Sequence, residues 1–113
     1  MIICITARAA GMDAPAEQRF ARAPYFIFVN TETGESESVE NPFLDAAGGV
    51  GPRAVQLLSD RGATIAITGH VGGNAARALG AGGIKAYAYR GSGSVADALA
   101  AYTAGDLQPI SLA

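Results

Sequence analysis

Hydrophobic residues in this chain occur in short runs separated by polar, glycine-rich turns. Residues 2–6 are apolar and rich in β-branched side chains, which is typical of a buried central strand. Residues 25–31 are apolar and aromatic and predict a second strand, joined by a turn at residues 32–35 to a third at 36–40. Val39 is the one clear apolar residue of that third, charged segment, which predicts an edge strand that resists pairing with other sheets.

The second half of the chain alternates helical and extended patterns. A helix is predicted from Pro52, where a missing N–H costs nothing, to about Arg61. Strands at 64–68 and 84–89 and helices at 75–79 and 95–103 are predicted to follow, with Ser94 as the N-cap of the last helix. Such alternation indicates parallel strands with crossover helices. With the N-terminal hairpin, it predicts an α/β fold: a mixed five-stranded sheet with flanking helices, in one domain spanning residues 1–113.

Composition narrows the function classes. The chain has 113 residues, 50% of them hydrophobic, with a formal charge of -2 and a pI of about 5.2. A net acidic chain is a poor partner for nucleic acid. No apolar run is long enough for a bilayer, and the first residues show no charged leader or cleavage site, so the expected location is cytoplasmic. The single cysteine, Cys4, lies within the first predicted strand, where it is expected to be a small buried hydrophobe.

Candidate chemistry lies in two glycine-rich turns, residues 48–52 and 69–74, each of which precedes a predicted helix. Ligands of open α/β sheets bind near the carboxyl ends of the strands, where helix N–H groups and dipoles attract anions. Neither turn matches a Walker A loop or a clean G-x-G-x-x-G motif, and simple turn and cap roles fit both equally well. Arg19 and Arg22 flank Phe20 in a loop and are candidates for an anion clamp or for solvated side chains.

His70 is the only histidine and lies in the second glycine-rich turn. It is a candidate metal ligand, anion donor or proton carrier, and equally a loop residue without such a role. Paired carboxylates, a Ser/His/Asp arrangement and an H-E-x-x-H motif are all missing from the sequence, so no catalytic residue is predicted.

Several short motifs, in order and spacing, resemble the dinitrogenase iron-molybdenum cofactor biosynthesis family, the NifX/NafY-like proteins. The resemblance covers nearly the whole chain. Its motifs are Arg19-Phe20-Ala21-Arg22-Ala23-Pro24-Tyr25-Phe26, Asn41-Pro42, Gly49-Val50-Gly51-Pro52-Arg53-Ala54, Ile67-Thr68-Gly69-His70-Val71-Gly72-Gly73-Asn74-Ala75, Gly82-Gly83-Ile84, Val95-Ala96-Asp97-Ala98-Leu99, Tyr102 and Gly105-Asp106-Leu107. Two positions depart from the family pattern: Arg19 stands where cofactor-binding members carry His, and Ala21 stands where Gly is usual.

The resemblance implies a ribonuclease H-like fold with strand order 3-2-1-4-5 and the second strand antiparallel. It also implies a NifX-like domain for non-enzymatic binding or carriage of an iron-sulfur-type or iron-molybdenum-type metallocofactor, or its precursor, in nitrogen fixation-related cofactor biosynthesis. The implied partners are an anionic metallocluster or small anion and cofactor-assembly proteins, without nucleic acid or membrane.

A cleft at the carboxyl edge of the sheet is therefore the predicted binding site. The candidate cofactor-binding residues are Arg19, Arg22, Gly49, Gly51, His70, Gly72 and Asn74, with His70 as the candidate metal ligand. Two alternatives stay open: an enzyme or binding protein for a phosphorylated small molecule, and an interaction domain without a ligand.

Overall fold

A computed structural model describes residues 1–112, which form nine regular elements. In chain order these are β1 (Ile2–Ala7), β2 (Tyr25–Asn30), β3 (Ser36–Glu40), α1 (Val50–Asp60), β4 (Ala63–Thr68), α2 (Gly73–Ala81), β5 (Lys85–Ala88), α3 (Val95–Thr103) and β6 (Gln108–Pro109). Across these residues, no helix combines the length and apolar character that a membrane crossing requires.

The six strands of residues 1–112 form one open mixed sheet in the order β3-β2-β1-β4-β5-β6. β1 lies between antiparallel β2 and parallel β4, and β5 continues the parallel half. The predicted order of the first five strands is confirmed, but the predicted count of five strands is wrong. β6 pairs antiparallel with β5 through two exposed residues, Gln108 and Pro109, so backbone pairing forms this strand without a hydrophobic pattern. The ribonuclease H-like label stays a prediction.

Most predicted elements lie within a few residues of their observed bounds. β3 and α3 match, and α3 carries a capping box in which Ser94 and Asp97 bond to each other's backbone N–H. α1 begins two residues earlier than predicted, at Val50, because Gly49 enters the left-handed region at φ 71° and becomes the N-cap. β5 spans Lys85–Ala88 and is one residue shorter at each end than predicted, because only these four residues pair with β4.

Each face of the sheet has its own hydrophobic core. α1 and α2 cover one face, over Phe26, Phe28 and Ala66. α3 covers the other, over Ile5, Ile27 and other branched residues of the central strands. Cys4 is fully buried beneath α1 and α2, as expected. This arrangement leaves the carboxyl edge of the parallel strands to the loops.

Candidate functional site

A small cleft lies at the carboxyl edge of the sheet, where α1 and α2 begin side by side. Its volume is about 230 Å³, and its wall consists of Ala21, Gly49, Val50, Gly51, Pro52, Gly72, Gly73, Asn74 and Ala75. At about 30 Å³ for each water molecule, it has room for about eight waters or one small ligand. Four of the predicted binding residues, Gly49, Gly51, Gly72 and Asn74, therefore line one cavity.

The two helix N-termini at the cleft have no side-chain caps. Gly49 and Gly72 are the N-cap residues of α1 and α2, and neither first turn contains an acidic residue. Within residues 1–112, the backbone N–H groups of Val50, Gly51 and Gly73 donate no hydrogen bond to another group. At α3, by contrast, the first N–H groups all have acceptors: Val95 and Ala96 donate to the carbonyls of Ala14 and Met12, and Asp97 donates to Ser94 Oγ. The partial positive charge of two helix dipoles is thus directed into the same space.

Gly51 and Gly72 of the cleft differ in whether the structure requires glycine. Gly51 allows α1 to approach α2, because a Cβ there would lie 3.0 Å from both the Cβ and the backbone nitrogen of Ala75. Gly72 has an ordinary φ of -68°, and a Cβ there would meet nothing within 4 Å. Neither backbone conformation nor packing within the described chain therefore requires glycine at position 72.

The turn that carries His70 is fixed by its backbone. The His70 and Gly69 N–H groups both donate to the Gln18 carbonyl, at 2.7 and 2.9 Å, and the His70 carbonyl accepts from Phe20 N–H at 3.2 Å. Arg90 Nε donates to the Gly69 carbonyl at 3.2 Å. The His70 side chain is exposed, and in residues 1–112 its imidazole makes no hydrogen bond. Gln18 thus positions the turn that carries His70, and sequence reasoning missed it because a backbone carbonyl leaves no sequence signal.

Arg19 forms an isolated backbone bridge with His70, but its side chain turns to Glu17. Glu17 is 6% exposed and accepts from the backbone N–H, Nε and Nη2 of Arg19 at 2.9, 3.3 and 3.2 Å. Burial alone would raise the pKa of Glu17, but hydrogen bonds from Arg19 and the charges of Arg19 and Arg8 outweigh it, so the pKa lies below its ordinary value. Sequence reasoning also missed this carboxylate, because acidic residues in loops are usually solvated.

Arg22 fastens the loop that precedes α1. Its Nη1 donates to the carbonyls of Leu44 and Ala46, at 2.9 and 3.2 Å. The buried amide of Asn41 supports the same loop: its Nδ2 donates to the carbonyls of Ala21 and Ala23, and its Oδ1 accepts from Phe43 N–H. Arg22 thus acts on the cleft through the position of the loop, while the guanidinium charge stays at the carboxyl edge.

Six of the seven arginines gather at this edge. Arg8 and Arg90 follow β1 and β5, and Arg19 and Arg22 lie in the loop after β1. Arg53 lies in the first turn of α1, and Arg77 lies at the middle of α2 with its side chain directed to the start of that helix. Arg77 donates to the side chain of Asn74. Only Arg61 belongs to the opposite end, at the C-terminus of α1. The arginines therefore add a long-range attraction for anions to the local one of the helix dipoles.

The described residues do not form a metal site built from several side chains. Residues 1–112 contain no group of three His, Cys, Asp or Glu side chains that could hold a metal ion. Cys4 is buried in the core, and burial raises the pKa of its thiol, so it is neither accessible nor a thiolate. What the edge offers is backbone N–H groups, arginine charge and the single imidazole of His70.

Two larger grooves, of about 510 and 560 Å³, lie at the opposite end of the sheet, where β1 begins. One is lined by Phe28, Glu37 and Arg61, among others, and the other by Tyr87, Tyr102 and Leu107, among others. No helix begins at either groove, so neither has the anion-attracting backbone of the smaller cleft.

Comparison with known proteins gives a family match and close structural relatives. The sequence model of the family described as dinitrogenase iron-molybdenum cofactor matches residues 1–105. The apo form of the orange protein from Desulfovibrio gigas is 33% identical and superposes with a TM-score of 0.92, covering 96% of this chain and 92% of that one. A Thermotoga protein that belongs to the DUF35 family is 38% identical and superposes with a TM-score of 0.85, covering 96% of this chain and 91% of that one. Comparison with curated protein sequences finds no match.

Proposed function

The chain belongs to the dinitrogenase iron-molybdenum cofactor family, and we propose that it binds and carries an anionic metal-sulfur cofactor, or a precursor of one, without catalysing a reaction on it. Membership relates the chain to iron-molybdenum cofactor biosynthesis and nitrogen fixation. The orange protein, which is similar over 96% of this chain, was solved in its apo form. In this proposal the metal cluster is the cargo, and the protein supplies the site that binds it.

The observation that carries the proposal is the convergence of two uncapped helix N-termini on one cleft. Their N–H groups have no acceptor within the described chain, and the space in front of Gly72 is open. A bound anion would accept from these N–H groups and would lie at the positive ends of both dipoles. The arginines would raise the rate of encounter with such an anion.

Each predicted site residue has a place in this proposal. Gly49, Gly51, Gly72 and Asn74 form the wall of the cleft, and Arg22 holds the loop that completes it. Arg19 stands at the position of the family's histidine and contributes charge, with its orientation set by Glu17. His70 is the candidate imidazole ligand to an exposed metal atom of the cluster. Since Cys4 is buried, the cluster would have to keep terminal ligands of its own in place of protein thiolates.

The test is an anaerobic binding assay in which the protein is mixed with iron and sulfide, or with a preformed anionic iron-sulfur cluster. Gel filtration then shows whether visible absorbance elutes with the protein in a stoichiometric amount. Gly72→Ala places a methyl group in the open space of the cleft, and we expect at least tenfold weaker binding, equivalent to about 1.4 kcal/mol. Gly80→Ala is the matched control, since Gly80 lies at the far end of the helix that Gly72 caps and an added Cβ there meets only Leu112 Cβ, at 3.8 Å.

The variants also separate the roles of charge and ligation. His70→Ala should lose or shift the absorbance bands if the imidazole ligates the metal, whereas Arg19→Gln should weaken binding more at low salt than at high salt. Binding that is unaffected by Gly72→Ala would remove the cleft from the proposal. A colourless protein that instead binds inorganic phosphate would favour the phosphorylated-ligand alternative, because oxyanions use the same N–H groups.

A further inference from the structure

The outer edge of β3 presents backbone groups that no strand of residues 1–112 uses. At the two ends of the β2–β3 ladder, Asn30 N–H donates to Glu35 and Asn41 N–H donates to Pro24, each at 2.9 Å. Antiparallel pairs alternate between bonded and non-bonded types, so Glu37 and Val39 direct their backbone groups inward, to β2. Ser36, Ser38 and Glu40 therefore direct N–H and C=O groups outward.

The two edges of the sheet differ in how well they could accept another strand. β6 has two residues, one of them Pro109, which has no N–H to donate. β3 has five residues without proline, and all are at least partly exposed. Leu44, one of two large hydrophobic side chains exposed in residues 1–112, lies four residues beyond it at 38% exposure. The β3 edge thus combines free backbone pairing groups with a nearby apolar side chain.

Acidic residues predominate in the chain segment that contains this edge, and Arg22 and Arg61 contact it from outside that segment. Residues 23–52 contain Glu32, Glu35, Glu37, Glu40 and Asp45, five of the ten acidic residues of the chain, and no Lys, Arg or His. Arg61, the C-cap residue of α1, supplies one ion pair, with Glu37. A second copy of the chain would bring an equally acidic hairpin against this one, which disfavours self-pairing. A basic strand would meet opposite charges across the new ladder instead.

We propose that the outer edge of β3 is a docking site for an extended, lysine- or arginine-rich segment of a partner protein, which adds a strand to the sheet. In an antiparallel arrangement, residues opposite Glu40 and Glu37 would be basic and lie three positions apart, with an apolar residue between them opposite Val39. The motif Lys-Val-Thr-Lys-Thr meets this requirement. β3 leads directly into the loop of residues 41–49 that borders the cleft, so the partner would bind beside the cleft.

The test uses a capped peptide with the core Lys-Val-Thr-Lys-Thr, titrated into the whole protein while backbone amide signals are followed by NMR. We expect the amides of Ser36, Ser38 and Glu40 to shift and to become protected from hydrogen exchange. A peptide with glutamate in place of each lysine is the charge control and should not bind. Binding of the basic peptide should weaken as salt is raised.

Ser38→Pro removes one outward N–H without touching the ladder to β2, and we expect about tenfold weaker peptide binding. Ser38→Ala is its matched control: both variants lose the bond from Gly11 N–H to Ser38 Oγ, but alanine keeps the N–H. Glu40→Lys, which leaves the backbone unchanged, should also weaken binding about tenfold at low salt.

Unchanged affinity in both Ser38→Pro and Glu40→Lys would overturn the proposal. So would a dimer of the free protein that Ser38→Pro dissociates, because the occupant would then be a second copy. Gly72→Ala should not alter peptide binding, so failure of the cleft and failure of the edge are separate results.

Discussion

Gly51→Ala should destabilise the protein, although the same change usually stabilises a helix. The added Cβ would lie 3.0 Å from Ala75 Cβ and 3.2 Å from Ala75 Cα. Carbon atoms prefer separations of about 3.5–4.0 Å, so the start of α2 would have to move by at least about 0.5 Å. The neighbouring atoms are mostly backbone, so no side-chain rotation relieves the contact.

The expected magnitude follows from two opposing contributions. Overpacking of this kind costs about 1–3 kcal/mol, and replacing glycine in a helix returns at most about 1 kcal/mol. With mid-range values of about 2 kcal/mol for the cost and about 0.5–1 kcal/mol for the gain, we expect a net loss of about 1–1.5 kcal/mol in the free energy of unfolding and a fall in Tm of about 5 °C. Gly80→Ala, where the nearest atom is 3.8 Å away, should raise the free energy of unfolding by up to about 1 kcal/mol.

Urea and thermal unfolding of the two variants, measured beside the parent protein, test this reasoning. Opposite signs are expected because only position 51 lies at the contact between α1 and α2. If Gly51→Ala proved as stable as the parent, the close approach of the two helices, and with it the shape of the cleft, would be refuted.

Two further predictions concern buried polar groups near the cleft. Asn41→Ala should lower the free energy of unfolding by about 2–3 kcal/mol in urea titrations, because the carbonyls of Ala21 and Ala23 lose their donor; a loss below about 1 kcal/mol would contradict this account. Glu17 has a lowered pKa, so its contribution to stability is complete above its ordinary value of about 4.5 and is lost as the pH falls through the folded-state pKa. Glu17→Gln should therefore lose less stability than the parent between about pH 5 and pH 3, and parallel pH profiles would count against the Glu17–Arg19 interaction.

Local patterns in the sequence determined most of the elements and their order. The runs of β-branched residues in β1 and β4 favour strands wherever they are buried. Ser94 and Asp97 together form a capping box, so the start of α3 is determined by local sequence. The two glycine-rich turns marked the carboxyl edge as the candidate site, because strand-to-helix connections place them there in any parallel sheet.

Tertiary structure alone decided how those pieces form a site. β6 exists because β5 offers it a backbone edge, and no pattern in Gln108–Pro109 indicates a strand. Arg22 binds loop carbonyls and Arg19 binds a buried carboxylate. The sequence shows that both residues are charged, but it does not show which groups they contact. The cleft itself depends on Gly51 of α1 meeting Ala75 of α2, 24 positions later. The periodicity of hydrophobic residues indicates which face of a helix or strand is apolar. The distance between two helices is set by their packing, and the distance between α1 and α2 determines the shape of the cleft.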